Sequence, residues 1–265
     1  MSSNPVPAPI WSITEGDSPI VATAVHDGHA IRAELMPFIA LTSEERLREE
    51  DPFTAGWTTV VDTHVIGLHS RFEVDLNRPR DKAIYLKPED AWGLTVYNQN
   101  LPEDIIQRTL AEYDAFYETM HEFFTRMTER HHRFIVLDLH TYNHRRDGLD
   151  AKPADVSQNP EVNIGTGTIP DRARFASAID GFIENLREFN YDGGHLDVRE
   201  NVKFLGGGFP AWIHRNFPES ACVLSVEFKK FFMNEWTGEP DEDQVGMIHA
   251  ALESTLPKLH EWLTS

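Results

Sequence analysis

Two apolar segments of this chain each end in a histidine. Residues 134–140 read Phe-Ile-Val-Leu-Asp-Leu-His, and residues 20–26 read Ile-Val-Ala-Thr-Ala-Val-His. Apolar runs of this kind, rich in β-branched residues, are typical of strands buried on both faces of an α/β sheet. Ligands of such sheets bind beyond the carboxyl ends of the strands. Because both strands deliver a histidine to one edge of a sheet, His26 and His140 predict a metal site there.

A third ligand is expected from the acidic run at residues 49–51. Zinc hydrolases commonly use three histidine or carboxylate ligands and keep a fourth position for water. Pro52 biases Asp51 towards an extended conformation and ends the preceding helix. The Asp51 side chain therefore projects away from the helical side chains before it, which makes Asp51 the favoured ligand. Glu50 and His29 stay open as alternatives. The other interpretation of this run is a solvated, acidic helix end.

Two further carboxylates are candidates for a role beside the metal. Glu227 lies on a predicted strand of otherwise apolar or small residues, where a buried glutamate is rare unless it is paired or functional. A carboxylate near a metal-bound water can act first as general base and then as acid; a salt bridge is the alternative. Asp138 shares a strand face with His140, so it either orients that ligand or forms a structural hydrogen bond.

Arginines are concentrated around two of the predicted strands. The members of the two groups are Arg71, Arg78, Arg80, Arg145 and Arg146. Arginine binds carboxylates in a two-pronged fashion. In a chain with a net charge of −19, such grouping predicts a local anion pocket. Salt bridges to the surplus acidic residues are the alternative interpretation.

Composition narrows the class of protein. The 265 residues include 24 basic and 43 acidic side chains, which argues against a nucleic acid or an anionic membrane surface as the main partner. Cys222 is the only cysteine, so an internal disulfide and a cysteine-based metal site are excluded. No apolar run approaches the ~20 residues of a transmembrane helix, and the first residues lack the features of a signal peptide. We expect a cytoplasmic protein, either a monomer or a small homo-oligomer.

Periodicity predicts the elements that position these residues. The predicted strands are 19–26, 71–76, the run ending at His140, and 222–228. One helix is predicted to begin at residues 42–43, with Thr42 or Ser43 as its cap, and three others to span 103–130, 171–190 and 241–263. Residues 147–170 are expected to form a long functional loop, and residues 206–208 a turn or a close backbone approach. No boundary is evident, so we expect one α/β domain over residues 1–265, with residues 1–15 as an irregular arm.

Taken together, these segments resemble the N-formylglutamate amidohydrolase family. The matching pieces are Val25-His26-Asp27-Gly28, Glu50-Asp51, Ser70-Arg71, Asp75-Leu-Asn77-Arg78-Pro79, Asp138-Leu-His140-Thr141, Gly206-Gly207-Gly208 and Val226-Glu227-Phe228. They occur in the expected order over most of the chain. The resemblance implies a zinc-carboxypeptidase-like fold (phosphorylase/hydrolase-like), with three α/β/α layers and a central mixed sheet.

The resemblance also implies a reaction and a set of roles. His26, Asp51 and His140 would hold one Zn²⁺ ion or another divalent metal, and Glu227 would act as the base. Asn77 and Arg78 would bind the substrate or its oxyanion, with Arg78 stabilising the negative charge. The carboxylates of the small anionic acyl-amino-acid substrate would be bound by other arginines, for which the candidates are Arg71, Arg145, Arg146 and Arg215. The implied reaction is the hydrolysis of N-formyl-L-glutamate to formate and L-glutamate, a step of histidine degradation.

Two departures from the family pattern leave the substrate preference open. Asp27 stands where the family usually has a serine, and Lys229 and Lys230 stand where an arginine is frequent. The nearest alternative is therefore a zinc amidase or a carboxypeptidase-like enzyme that acts on another N-acyl amino acid or a short peptide. A non-catalytic metal-binding or ligand-binding protein is the third hypothesis, and the presence of both Glu227 and a full ligand set argues against it.

Overall fold

A mixed sheet of seven strands forms the centre of the computed structural model, which describes residues 9–265. In chain order the strands are β1 (Trp11–Thr14), β2 (Ile20–Ala24), β3 (Thr63–Gly67), β4 (Phe134–Tyr142), β5 (Val162–Gly165), β6 (Val198–Glu200) and β7 (Ala221–Lys229). The helices are α1 (Ser43–Glu49), α2 (Thr54–Trp57), α3 (Glu103–His131), α4 (Ala176–Glu188), α5 (Gly208–Asn216) and α6 (Glu242–Thr264).

Four neighbouring strands of the sheet, β3, β2, β4 and β7, run parallel. The strand order is β1-β3-β2-β4-β7-β5-β6, with β1 antiparallel to β3 and β5 antiparallel to β7. Parallel strands bring their carboxyl ends to one edge, where ligands of α/β sheets bind. His26 follows β2, while His140 and Glu227 lie near the ends of β4 and β7. All three residues therefore lie at the same edge.

Apolar side chains alternate between the two faces of the sheet and build a core on each. On one face, Leu137 and Leu139 of β4 belong to a cluster with residues of α4 and α6. On the other, Val136 belongs to a cluster with aromatic residues of α3 and α5. Helices thus cover both faces, which confirms the predicted three-layer α/β/α fold. Asp138 and His140 lie on the face of Val136, because strand side chains repeat every second residue.

Local sequence signals explain where helices begin. Thr42 caps α1 through a capping box: its hydroxyl accepts from the Glu45 amide at 3.1 Å, and the Glu45 carboxylate accepts from the Thr42 amide at 2.8 Å. The helices predicted over 103–130 and 241–263 are confirmed as α3 and α6 within two residues at each end. Within residues 9–265, no helix has both the length and the apolar character needed to cross a membrane.

The predicted amino-terminal arm is corrected in part. Residues 1–8 lie outside the described part of the chain. Residues 11–14 form β1, with Trp11 opposite Gly67 of β3, so the irregular arm is wrong for this segment. Trp11 and Ile13 pack against the core on the α3 face, and this burial stabilises the strand. That residues 1–265 form one domain stays a prediction.

Two other predicted elements are wrong. Residues 71–76 lie mainly in turns and form no strand. Their polar–apolar alternation has another origin, because Val74 packs into the core while Asp75 is buried and paired with Arg71. The segment 147–170 is not one long loop, since it contains β5. A strand of four residues is too short to show a clear period.

Candidate metal and active site

Three buried side chains meet at the carboxyl edge of the sheet: His26, Asp51 and His140. The Nδ1 atom of His140 lies 2.9 Å from Asp51 Oδ2, and the Nδ1 atom of His26 lies 3.4 Å from the same oxygen. The centroids of the two imidazole rings are 5.0 Å apart. One donor atom from each residue lies within 4.8 Å of the others, a spacing at which the three can bind one metal ion.

The backbone after α1 sets the position of Asp51. The chain leaves the helix at Glu50, whose backbone is extended. The Asp51 amide then donates to the carbonyl of His26 at 3.0 Å, which ties this segment to the end of β2. Thr141 donates its hydroxyl to Asp51 Oδ1 at 2.8 Å. These bonds leave Oδ2 facing both imidazoles.

The two other residues considered as the third ligand point elsewhere. Nδ1 of His29 lies 2.5 Å from one carboxylate oxygen of Glu50, and Ser70 donates its hydroxyl to the other oxygen. Nε2 of His29 lies 2.8 Å from the Ser43 hydroxyl. Of the three candidates, Asp51 is the one that the fold brings to the two strand-end histidines.

A carboxylate holds the outer nitrogen of each imidazole. Asp75 Oδ1 lies 2.7 Å from His26 Nε2, and Asp138 Oδ2 lies 3.0 Å from His140 Nε2. The Thr23 hydroxyl donates to the other oxygen of Asp138 at 2.7 Å. These contacts favour the tautomer with a proton on Nε2 and a lone pair on Nδ1. Carboxylates placed behind histidines in this way orient the ring and raise its basicity as a metal ligand.

The residues present fit a zinc ion. Nδ1 of His26 is buried and has no hydrogen-bond partner within residues 9–265, which is the state expected of a nitrogen that binds a metal. Two imidazole nitrogens and one carboxylate oxygen form a ligand set that zinc commonly uses in catalytic sites, with a fourth position for water. Imidazole also suits copper, iron and nickel, so this set does not by itself select one metal.

Close pairing controls the ionisation of the cluster. Burial by itself raises the pKa of Asp51, but the hydrogen bond with His140 and the nearby His26 imidazole outweigh burial and hold that pKa well below its usual range. Burial by itself lowers the pKa of His140. The charge and hydrogen bond of Asp138 outweigh that effect and hold the pKa of His140 well above its usual value. The cluster therefore stabilises positive charge between Asp51 and the imidazoles.

Glu227 faces this cluster from the neighbouring strand. It is the register partner of His140 across β4 and β7, so both side chains leave the sheet on the same face. Within the described chain its carboxylate forms neither a hydrogen bond nor a salt bridge, and burial raises its pKa to about 8. A carboxyl group with a pKa near neutrality can both accept and donate a proton at physiological pH.

The cluster and Glu227 line a cavity of about 670 Å³. Pockets of roughly 300–1,000 Å³ hold small organic ligands. The basic side chains in its wall are Arg71, Arg78, Arg146, Lys203 and Lys230. Against a net charge of −19, this group provides a local region of positive potential for an anionic ligand.

Asn77 lies between the metal cluster and the glycine-rich turn. Its Oδ1 accepts from the Phe209 amide at 2.9 Å. A Cβ atom on Gly207 would lie 2.3 Å from the Asn77 side chain, so the turn needs glycine for this close approach. Nδ2 of Asn77 lies 3.2 Å from Nε2 of His140. With a proton on Nε2 both nitrogens are donors, and the Asn77 amide keeps its protons for another acceptor.

Arg78 is the least engaged of the three cavity arginines. Its Nε atom lies 3.6 Å from Asp75, beyond hydrogen-bond range. Arg71 donates to the same carboxylate at 2.8 Å, and Arg146 makes a two-pronged contact with Glu49 at 3.2 and 3.3 Å. Arg78 therefore has the most donors left for an anion that enters the cavity.

Two predicted substrate-binding residues lie outside this cavity. Arg145 lines a second cavity of about 340 Å³ and donates to the Ala151 carbonyl at 3.3 Å. Arg215 is exposed near the end of α5. Of the pair that follows β4, only Arg146 lines the larger cavity. Neighbouring positions in a loop point in different directions, and the sequence did not show which one faces the site.

Asp75, Trp92 and Lys230 are among the residues of the site that were not identified from the sequence. Asp75 holds His26 in place, and its spacing of four residues from Arg71 gave a signal of pairing. Trp92 lies at the mouth of the cavity, 49% exposed and with φ at +53°. No local pattern identifies such a residue. Lys230 directly follows the apolar β7 strand. A lysine next to a buried strand is the sequence signal that could have identified it as a site residue.

The departure at Asp27 has a structural explanation. Its carboxylate accepts from the Ala55 amide at 2.8 Å and so stabilises the start of α2. Burial raises the pKa of Asp27 to about 6. Asp27 does not line the larger cavity, so its effect on a ligand there is indirect.

Comparison with known proteins connects this site to a family. The sequence model of N-formylglutamate amidohydrolase matches residues 18–231, a range that contains every residue of the cluster. The N-formylglutamate amidohydrolase from Ralstonia eutropha JMP134 is similar in structure, with a TM-score of 0.72, 20% identity, and coverage of 96% of this chain and 98% of that chain. A gene product of Agrobacterium tumefaciens shows a TM-score of 0.64 and 16% identity over 96% and 97% of the two chains. No curated protein sequence matches the chain.

Proposed function

Because the chain belongs to the N-formylglutamate amidohydrolase family, we propose that it hydrolyses the amide bond of N-formyl-L-glutamate to formate and L-glutamate in a metal-dependent reaction. The main support is the position of Glu227, an unpaired carboxyl group on the strand next to His140. A metal-binding protein without catalysis has no need of such a group. Hydrolysis needs such a group, because a proton must leave the attacking water and reach the departing nitrogen.

In this proposal His26, Asp51 and His140 hold one zinc ion or another divalent metal. A zinc ion bound in this way polarises an amide carbonyl and lowers the pKa of water. Glu227 takes the proton from the attacking water at its carboxylate and passes it to the amine nitrogen that leaves. Its pKa of about 8 is suited to both transfers near neutral pH.

Binding and charge stabilisation fall to the residues around the cluster. Arg78 donates to the carbonyl oxygen of the substrate as negative charge develops there. Asn77 has amide protons available beside His140 and binds a neighbouring oxygen of the substrate. Arg71 and Arg146 line the cavity and provide positive charge for the substrate carboxylates. Asp75 and Asp138 keep the histidines in the tautomer that has a lone pair on Nδ1.

The proposal is tested by formate release. Purified protein is incubated with N-formyl-L-glutamate before chelation, after chelation, and after zinc is added back. We expect formate production that stops on chelation and returns with zinc. No formate from fully metallated protein would contradict the substrate, while activity that is unaffected by complete metal removal would contradict the metal dependence.

A second candidate function is hydrolysis of another N-acyl amino acid or a short peptide. The size of the cavity and the half-exposed Trp92 and Leu205 in its wall favour it. These apolar surfaces can contact an acyl group larger than formyl. Comparing kcat/KM for the formyl, acetyl, propionyl and benzoyl derivatives of L-glutamate separates the two. Higher kcat/KM for a larger acyl group would establish the second function in place of the first.

A further inference from the structure

Lys230 is a buried cation with no close anionic partner. Only 1% of the residue is exposed. Its Nζ atom donates to two backbone carbonyls, that of Arg48 at 2.5 Å and that of Glu50 at 2.7 Å. Within residues 9–265, no carboxylate oxygen lies within 4.0 Å of the ammonium. Every close acceptor of this charge is therefore neutral.

An ammonium in this position has binding capacity left. It carries three N–H donors, of which the two carbonyls accept two. Asp51, Glu49 and Glu235 attract the ammonium from beyond 4.0 Å, so none of these carboxylates accepts its third proton. A buried charge that lacks a direct ionic partner is unfavourable unless something binds it. Burial lowers the pKa of Lys230 to about 8, so the ammonium form still predominates at neutral pH. The third donor and the positive charge are both available to an anion.

The position of Lys230 places this cation at the proposed reaction site. It follows Glu227 by three residues, just beyond the end of β7, and its side chain lines the same cavity as the metal cluster. From these contacts we propose that Lys230 binds one carboxylate of the substrate. This inference rests on the proposed function, in which the substrate is a dianion. Arg78 and Lys230 then provide two separate cationic groups within one cavity.

A purely structural role makes a different prediction. Lysine side chains often donate to the last carbonyls of a helix, and Arg48 and Glu50 lie at the end of α1. In that role Lys230 would only hold the segment that carries Asp51. Its loss would then weaken metal binding and slow the turnover of every substrate equally. An anion-binding role affects a substrate only when the carboxylate is present.

The experiment compares three substrates of similar shape, the dianion and two compounds in which an amide replaces one or the other carboxylate. These are N-formyl-L-glutamate, its side-chain amide N-formyl-L-glutamine, and its α-amide N-formyl-L-isoglutamine. The proteins are the wild type, Lys230→Met, Lys230→Gln and the matched control Lys229→Met. Lys229 is the adjacent lysine, donates to the Asn159 carbonyl at 3.3 Å and does not line the cavity. Zinc content and far-UV circular dichroism are recorded for each protein.

We expect Lys230→Met to lower kcat/KM for N-formyl-L-glutamate by about 10- to 100-fold, the effect of one hydrogen bond to a charged group. One of the two amides should be almost unaffected, and that amide identifies the carboxylate that Lys230 binds. The Lys229→Met protein should behave as the wild type. An equal fall for all three substrates, or no fall for any, overturns the proposal. Lys230→Gln keeps N–H donors for the two carbonyls, so it provides the test if Lys230→Met does not fold.

A binding measurement separates this inference from the proposed function. Glutarate carries two carboxylates and no amide bond, so its binding by calorimetry needs no turnover. If the wild type releases no formate but binds glutarate, and Lys230→Gln binds it at least 10-fold more weakly, Lys230 is an anion-binding residue and only the substrate is wrong. Glutarate binding that is equal in the wild type and Lys230→Gln overturns the inference, whatever the activity.

Discussion

Two buried histidines, His140 and His214, contact the same strand in opposite electrostatic surroundings. His140 lies opposite Glu227 in the register of β4 and β7, between the carboxylates of Asp51 and Asp138. His214, on α5, accepts at Nε2 from the amide of Val223 in β7 at 3.0 Å. Its Nδ1 lies 3.0 Å from the Thr168 hydroxyl. One ring is thus held by anions and the other by neutral groups.

The pKa values show what this difference does. Burial lowers the pKa of His214 to about 4, because no anion offsets it. The pKa of His140 is held well above its usual value by Asp138 and Asp51, despite burial. Burial alone therefore produces a neutral, structural histidine. A histidine becomes part of a cation-binding site when the fold also brings carboxylates to it.

The largest effect is expected from removing the imidazole of His140, with the imidazole of His214 as the comparison. His140→Ala should abolish zinc retention and formate release, since it removes a ligand and leaves Asp51 with one imidazole. His214→Gln should retain both, because the glutamine carbonyl can accept from the Val223 amide. Metal analysis after gel filtration and an assay of formate release provide the readout. Zinc retained at one equivalent by His140→Ala would contradict the proposed ligand set.

Replacing the carboxyl group of Glu227, opposite His140, tests proton transfer without removing a proposed metal ligand. Glu227→Gln should lower kcat by about 10²- to 10⁴-fold, which is the usual contribution of general acid–base catalysis. Zinc content should not change. Glu253→Gln, at an exposed position of α6, serves as the matched control and should retain full activity. A Glu227→Gln protein with normal kcat would remove Glu227 from the mechanism.

The carboxylate behind His140 should have a smaller effect on metal affinity. Asp138→Asn keeps an oxygen near Nε2 but removes the charge, and the loss of such a partner typically costs about 10- to 100-fold in affinity. Competition with a chelator of known affinity measures the zinc affinity of each protein. Thr168→Val provides the parallel change behind His214 and should leave zinc affinity unaltered. Unchanged affinity in Asp138→Asn would mean that its charge has no part in the site.

The two histidines also differ in how they affect stability as the pH falls. The pKa of His214 is about 4 in the folded protein and about 6.5 when unfolded. Between these values the unfolded state binds more protons, so the stability that His214 provides at pH 7 decreases as the pH falls from 6.5 towards 4. The wild type should lose about 2 kcal/mol more than His214→Gln between pH 7 and pH 5. Urea unfolding of both proteins at each pH measures this difference, and parallel pH curves would contradict the assigned pKa.

The three central strands of the sheet, β2, β4 and β7, were predicted from their sequence patterns, and the three layers were implied by the family resemblance. The strands ending near His140 and Glu227 are continuous apolar runs, and α3 has a long helical stripe, so both periods are visible over many residues. The strands β1, β3, β5 and β6 span three to five residues each and were not predicted. Residues 71–76 form turns, but their sequence has the polar–apolar alternation of a strand, because buried charges there alternate with core residues.

The amino-acid sequence by itself determined that two histidines and a glutamate lie at one sheet edge, because each follows or ends an apolar run. The tertiary structure decided which groups meet them. It placed Asp51 and not Glu50 between the imidazoles, put Asp75 behind His26, left Arg215 outside the cavity and buried Lys230 inside it. Periodicity records only which face of an element is buried. Partners that are distant in the chain are chosen by the packing of loops against that face, and this information lies in no local stretch of sequence.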